Sequence, residues 1–298
     1  MTVSAKRLSS TIEGALWMIL GGSLFAGMSA MIRPATETSH PLVVSFIRAA
    51  VGALVLLPIL VRAGAVIPPK GVRKAVVLRA ISDGTAMALW FVIIPVMPLA
   101  TAIALNFTSP LFSTIFAVLF LGEVVRRRRW TAIAFGFAGA MIILRPGTDA
   151  LNWASIFVLI SAAAAAMSRV GARHLTFHLD AKRIVAYHFL FVTPVLLIPA
   201  IPVWIWPDTR TLLLTAALSM LGTLGHFCIT KAMHVAEASE MAPFDYVQLI
   251  TAAVLGYFLF GELPDLWTWA GAAVIAGSTI YIARREATIR RAAAQNGR

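Results

Sequence analysis

Three of the ionisable side chains in the long apolar runs stand out: Arg48 within 42–60, Asp83 within 78–96, and Asp245 at the head of 244–260. A charge at bilayer depth costs at least about 2.5–3.5 kcal/mol, so in a membrane each is a candidate for binding or coupling. Arg48 suits either an anion or counter-charge contact in a solute pathway or an ion pair that locks helices. Asp83 lies about 8 Å into its run at 1.5 Å per residue. It suits a cationic solute or a coupling proton, or a pair with Arg79 on the same helical face. Asp245 follows Pro243, which is also an ordinary way to begin a helix. Gln248 is one turn further on and Tyr246 is adjacent, so Asp245 and Gln248 can share a face. Asn106 is a polar residue in another apolar run. Trp17, Trp90 and Phe91 could wall a flat or cationic solute. Tyr187, His188 and His226 are read first as satisfied core residues and second as ligands.

Other chemistries lack their residues. The six histidines show no metal-ligand spacing such as H-E-x-x-H, and there is no G-x-x-x-x-G-K-[ST] phosphate loop. No Ser-His-Asp or paired-carboxylate spacing suggests catalysis. The single Cys228 excludes an intrachain disulfide. No metal, cofactor or catalytic residue is expected, and no direct use of ATP.

What must position these residues is a bundle of membrane helices. Of 298 residues, 59% are hydrophobic and 13% charged, against roughly 45–50% and about 25% in soluble domains. Ten apolar runs predict ten helices: Glu13–Ile32, Leu42–Leu60, Leu78–Val96, Thr101–Leu121, Trp130–Leu144, Trp153–Ala172, Ile184–Trp204, Leu212–Met233, Phe244–Phe260 and Trp267–Ala283. The fold expected is an all-α membrane protein with short connections and no soluble domain. Of the 25 Lys and Arg, 21 fall on the side of the termini, three (Arg33, Arg145, Arg210) on the other side, and Arg48 within a span. Cytoplasmic loops collect positive charge, so both termini are expected in the cytoplasm. The formal charge of +12, including the run Arg126–Arg129, then reads as an orientation signal with a secondary lipid-phosphate contact, not as nucleic-acid binding.

Self-similarity adds a mechanism. Gly122-Glu123 recurs 139 positions later as Gly261-Glu262, and the same shift maps Met28-Ser29 onto Met167-Ser168, Trp130 onto Trp269, Arg145 onto Arg284 and Asn106 onto Asp245. Two five-helix halves are expected, 13–147 and 152–284, with a basic cytoplasmic tail at 285–298. Five is odd, so the second half enters the membrane upside down. Many secondary transporters are built this way, with the site near the midplane between the halves.

Several motifs carry a family resemblance: Phe46-x-Arg48, Pro110-Leu111, Leu121-Gly122-Glu123, Trp130 with Gly136 and Gly139, Ala242-Pro243-Phe244-Asp245-Tyr246, and Phe260-Gly261-Glu262-Leu263-Pro264-Asp265. Over nearly its whole length the chain resembles ten-helix drug/metabolite transporters with two EamA repeats. The stretches His40 to Arg48 and Pro243 to Asp265 are similar to members that take up S-adenosylmethionine and riboflavin. The resemblance implies a secondary transporter of the bacterial inner membrane, a monomer or homodimer among lipids, with H+ as a possible coupling ion. Amino acids or their derivatives are further cargoes. Export of a metabolite, drug or small metallophore is the alternative in the same class. An integral-membrane enzyme acting on lipid-linked substrates is the alternative of another class.

Overall fold

The computed structural model describes residues 3–62, 66–121, 127–145, 147–148, 151–175, 178–179, 181–235, 241 and 244–296. Gly122, Glu123, Arg126, Ala242 and Pro243 lie outside them. The described chain is helical: α1 Val3–Ala35, α2 Pro41–Arg62, α3 Arg73–Ile93, α4 Leu99–Asn106, α5 Ser109–Leu121, α6 Arg127–Leu144, α7 Trp153–Leu175, α8 Ala181–Ala200, α9 Thr209–Val235, α10 Val247–Phe260 and α11 Leu266–Asn296. Among the described residues, seven helical stretches are long and apolar enough to cross a bilayer. Two shorter apolar helices, Trp130–Leu144 and Val247–Phe260, accompany them.

The apolar residues that cover the outside explain the composition. Leu54, Ile198 and Phe258 are more than two-thirds exposed, a surface suited to lipid and costly in water. Inside, α1 packs along α9, α3 along α7, α2 along α8 and α6 along α11. Small residues let the backbones approach. A Cβ on Gly21 would lie 2.7 Å from Ile229 and 3.1 Å from the Gly225 carbonyl. A Cβ on Gly139 would lie 2.8 Å from the Gly271 carbonyl. Such close crossings are how helices gain contact without a hydrophobic drive between them.

The fourth apolar run is two helices, not one. Pro110 has no N–H to donate and suits the first turn of a helix, where that donor would be unpaired, so α4 stops at Asn106 and α5 starts at Ser109. Thr108 covers the break, donating its hydroxyl to the Leu105 carbonyl at 2.7 Å. The helix α3 begins at Arg73, five residues before the apolar run expected from Leu78.

One end of the bundle is closed by polar contacts. Arg33, at the end of α1, donates to the carbonyls of Ile94 at 2.8 Å and Met97 at 2.5 Å. It also pairs with Glu262 at 2.6 Å and lies 4.3 Å over the Phe260 ring. The other carboxylate oxygen of Glu262 accepts from the Leu99 N–H at 2.9 Å, satisfying an orphan donor of the first turn of α4. Gly261 ends α10 with φ +68°, the left-handed cap that glycine favours. Arg145–Asp265 at 2.7 Å and Arg210–Glu37 at 2.9 Å ring the same end.

Candidate functional site

Polar side chains from five helices meet in the interior. Asp83 stands ten residues into α3, about 15 Å along its axis, deeper than the sequence reading placed it. Its carboxylate is 3.3 Å from His188 Nε2 on α8, and the Ser168 hydroxyl of α7 donates to it. Arg79, the expected partner one turn earlier, donates instead to the Ile184 carbonyl at 3.1 Å. Arg48 on α2 reaches across to α1 and α3, its two terminal nitrogens 3.4 Å from Met28 Sδ and 3.1 Å from Met87 Sδ. It forms no ion pair among the described residues. Both Arg48 and His226 on α9 lie within electrostatic reach of Asp83. Asp83 keeps 29% side-chain exposure and His188 15%, and His226 is exposed, so the packing does not seal this polar cluster.

Arg169 joins the two acidic residues. It sits on α7, donates to the Ser109 hydroxyl at the start of α5, and feels the charges of both Asp83 and Asp245. Ser109 in turn donates to the Ala162 carbonyl at 2.6 Å. Asp245 lies just before α10, where α1 comes close: a Cβ on Gly22 would be 3.3 Å from Gln248 Cβ and 3.7 Å from the Asp245 carbonyl. Tyr246 stacks at a tilt on Phe107, ring centroids 4.4 Å apart, next to Asn106 at the end of α4. Ser23 and Thr251 share a hydrogen bond at 3.1 Å across the same helix pair.

The aromatic candidates separate. Trp90 donates its indole N–H to Ser29 at 3.3 Å and flanks the central core on α3. Trp17 meets Phe227 edge-on at 6.3 Å in a small cluster with Met18, Met241 and Phe244. Phe91 is fully buried in the central core. Tyr187 is only 1% exposed, in a packed cluster with Leu60, Val72 and Ile184, next to His188 in sequence but in apolar surroundings. The structure thus brings together Arg48, Asp83 and His226 with His188, and links Asp245 to them through Arg169. Sequence reasoning passed over Arg169, which it counted among the charges on the side of the termini, and over Met28, Met87 and Ser168. The repeat held a signal for these: Met28-Ser29 and Met167-Ser168 recur at one offset, and Met28, Ser29 and Ser168 touch Arg48, Trp90 and Asp83. No group of His, Cys, Asp and Glu suited to a metal occurs among the described residues.

The EamA-like transporter family profile matches residues 12–145 and again 152–284. The chain belongs to the EamA-like transporter family. Among its relatives, a riboflavin transporter of Vibrio cholerae serotype O1 is 34% identical over 288 residues, covering 92% of this chain and 94% of the relative. An S-adenosylmethionine uptake transporter of Rickettsia prowazekii is 28% identical over 275 residues, covering 92% and 94%. A pseudopaline exporter of Pseudomonas aeruginosa is 29% identical over 279 residues, covering 91% and 96%. A solved crystal structure with 17% sequence identity superposes with a TM-score of 0.60 over 94% of this EamA chain and 99% of its own, a likeness of fold.

Proposed function

We propose that this EamA protein is a secondary transporter that carries a small organic metabolite across the inner membrane by alternating access, without chemistry on the solute. The observation that carries the reading is the polar cluster: Arg48, Asp83, Arg169, His188 and His226 converge from five apolar helices. In lipid such groups are retained at a cost that a transport pathway accounts for.

In this reading ten spans form two inverted halves, 13–147 and 152–284, with both termini and the 285–298 tail in the cytoplasm. The packing supports it. If the halves are related by a twofold axis, the partnership of the first span with the eighth must reappear as sixth with third, and α1–α9 is matched by α3–α7. The second and seventh spans (α2–α8) and the fifth and tenth (α6–α11) are then self-paired. The end closed by Arg33 and Glu262 faces outward. Asp83 with His188 is the coupling site, where a proton arriving on the pair weakens the hold on the neighbouring arginines. Asp245, Asn106, Gln248 and Tyr246 form the second contact with the solute, with Trp90 and Trp17 as aromatic lining. His226 stands beside Arg48, and Tyr187 supports the base of α8.

The uptake transporters among the relatives favour riboflavin or S-adenosylmethionine as cargo. The likeness to a pseudopaline exporter supports the second reading, efflux of a metabolite. Counterflow in proteoliposomes, with labelled riboflavin and S-adenosylmethionine within a wider panel of amino acids and nucleosides, tests the reading. Protein-dependent exchange of at least one solute is expected. No exchange of any solute in either membrane orientation would refute transport. An imposed pH gradient that leaves the wild-type rate unchanged would refute proton coupling.

A further inference from the structure

Arg48 stands apart from the other interior cations. Arg79 donates to a carbonyl and Arg169 to a hydroxyl. Among the described residues Arg48 meets only the thioethers of Met28 and Met87, which are weak acceptors. Its Nε is buried with no described partner. Asp83 is near enough to act on it electrostatically but is engaged by His188 and Ser168. Room for the guanidinium is set by a glycine on α9: a Cβ on Gly222 would lie 2.9 Å from Arg48 Nη2 and 2.7 Å from Met28 Sδ. Four helices therefore build a cradle around one guanidinium, and among the described residues no oxygen bonds it.

A guanidinium presents N–H donors in a rigid fork that matches carboxylate or phosphate, and a buried cation without an anion is costly. The interior charges leave that anion to come from elsewhere: Arg48, Arg79 and Arg169 face two carboxylates, Asp83 and Asp245. Beside the fork, Trp90 is one helical turn beyond Met87, and its indole bonds Ser29, the neighbour of Met28. An aromatic ring thus neighbours the residues that hold the cation. We infer that the Arg48 cradle binds a carboxylate or phosphate of the cargo, so that the transported solute is an acidic or zwitterionic metabolite with a flat ring, not an uncharged one. This rests on the transport function proposed above and narrows its substrate class.

Two solute pairs test it in proteoliposomes: S-adenosylmethionine against its decarboxylated form, and riboflavin 5′-phosphate against riboflavin. Each pair differs in one anionic group, the first a carboxylate and the second a phosphate, so the two arms tell which anion is read. Wild type is expected to move the anionic member at least tenfold faster in one pair. Arg48→Gln should bring that ratio close to one, Arg48→Lys should recover part of it, and Gly222→Ala, which crowds Nη2, should lower it. Equal rates for both members of each pair, or a preference for the uncharged flavin, would overturn the inference while leaving transport standing. Failure of wild type to move all four solutes would overturn the inference, and transport itself falls only if the wider panel is silent too. If Arg48→Gln does not fold, the wild-type ratios and Gly222→Ala decide.

Discussion

Glu262 should govern how readily the loop end opens. Replacing it with Ala removes two bonds to a charged carboxylate, from Arg33 at 2.6 Å and from the Leu99 N–H at 2.9 Å. Each such bond contributes about 1.5–3 kcal/mol net. The pair is about one-fifth exposed, at 16% and 21%, and Arg33 keeps two carbonyls and the Phe260 ring, so the low end of that range applies to both. The sum is about 3 kcal/mol, or roughly a hundredfold in the opening equilibrium at 1.4 kcal/mol per tenfold. Cys228 is the single cysteine, so a Cys228→Ala background carrying Ala100→Cys gives a clean probe. Ala100 is 3% exposed, one residue beyond Leu99. The alkylation rate of that cysteine reports the open fraction when closing outpaces reaction. Glu262→Ala should accelerate it by roughly a hundredfold, and Glu262→Gln, which keeps an acceptor for Leu99, by about tenfold. In a double-mutant cycle with Arg33→Ala, the coupling should be about 1.5–3 kcal/mol. A coupling under about 0.5 kcal/mol, the level of an exposed surface pair, would refute the reasoning.

Asp83→Asn and His188→Gln should each abolish the response of transport to an imposed pH gradient while exchange persists; vesicle flux with and without the gradient is the measurement, and an intact response in both variants removes the pair from coupling. Gly139→Leu should destabilise the α6–α11 crossing by about 1–3 kcal/mol through overpacking, read as a lowered melting temperature in detergent; an unchanged melting temperature means the crossing yields. Asp265 caps α11, accepting the Thr268 N–H at 2.8 Å and its hydroxyl at 2.6 Å. Burial pushes its carboxyl up, but the Thr268 bonds and Arg145 outweigh that and hold it below the usual carboxylate range. Its stabilisation is therefore present above the unfolded value of about 3.9 and is lost as pH falls through the lower folded value. Asp265→Ala should cost about 1 kcal/mol at neutral pH. Melting curves from pH 8 to pH 3 should show the gap constant down to about pH 5 and narrowing below about pH 4; a gap that widens in acid would contradict the assignment.

The sequence was informative where hydrophobic length speaks, and less so where side chains meet. Among the described residues seven helical stretches are long and apolar enough to cross a bilayer, because uninterrupted apolar stretches leave the backbone no better way to satisfy itself in lipid. Two boundaries moved for local reasons: α3 starts among charged residues at Arg73, and Pro110 splits the fourth run. Arg169 was hidden by the rule that reads orientation from charge. Arg169 lies near the end of the expected run Trp153–Ala172 and was counted with the charges on the side of the termini, yet on α7 it turns to Ser109 at the start of α5. Asp83 and Arg48 were legible as polar residues in apolar runs. Their partners were not, since Met28, Met87, His188 and Gly222 are ordinary membrane residues until the helices are assembled.

The interruption at residues 107–108 gives the bundle a knee. α4 is fastened above it, through Leu99 to Glu262, whereas α5 is held below it, through Ser109 to Arg169 and the Ala162 carbonyl of α7. Flexing there sacrifices little backbone bonding that the proline had not already forfeited. Whatever draws on Arg169 therefore reaches α5 first, through Ser109, while Leu99 at the far end of α4 is held separately by Glu262.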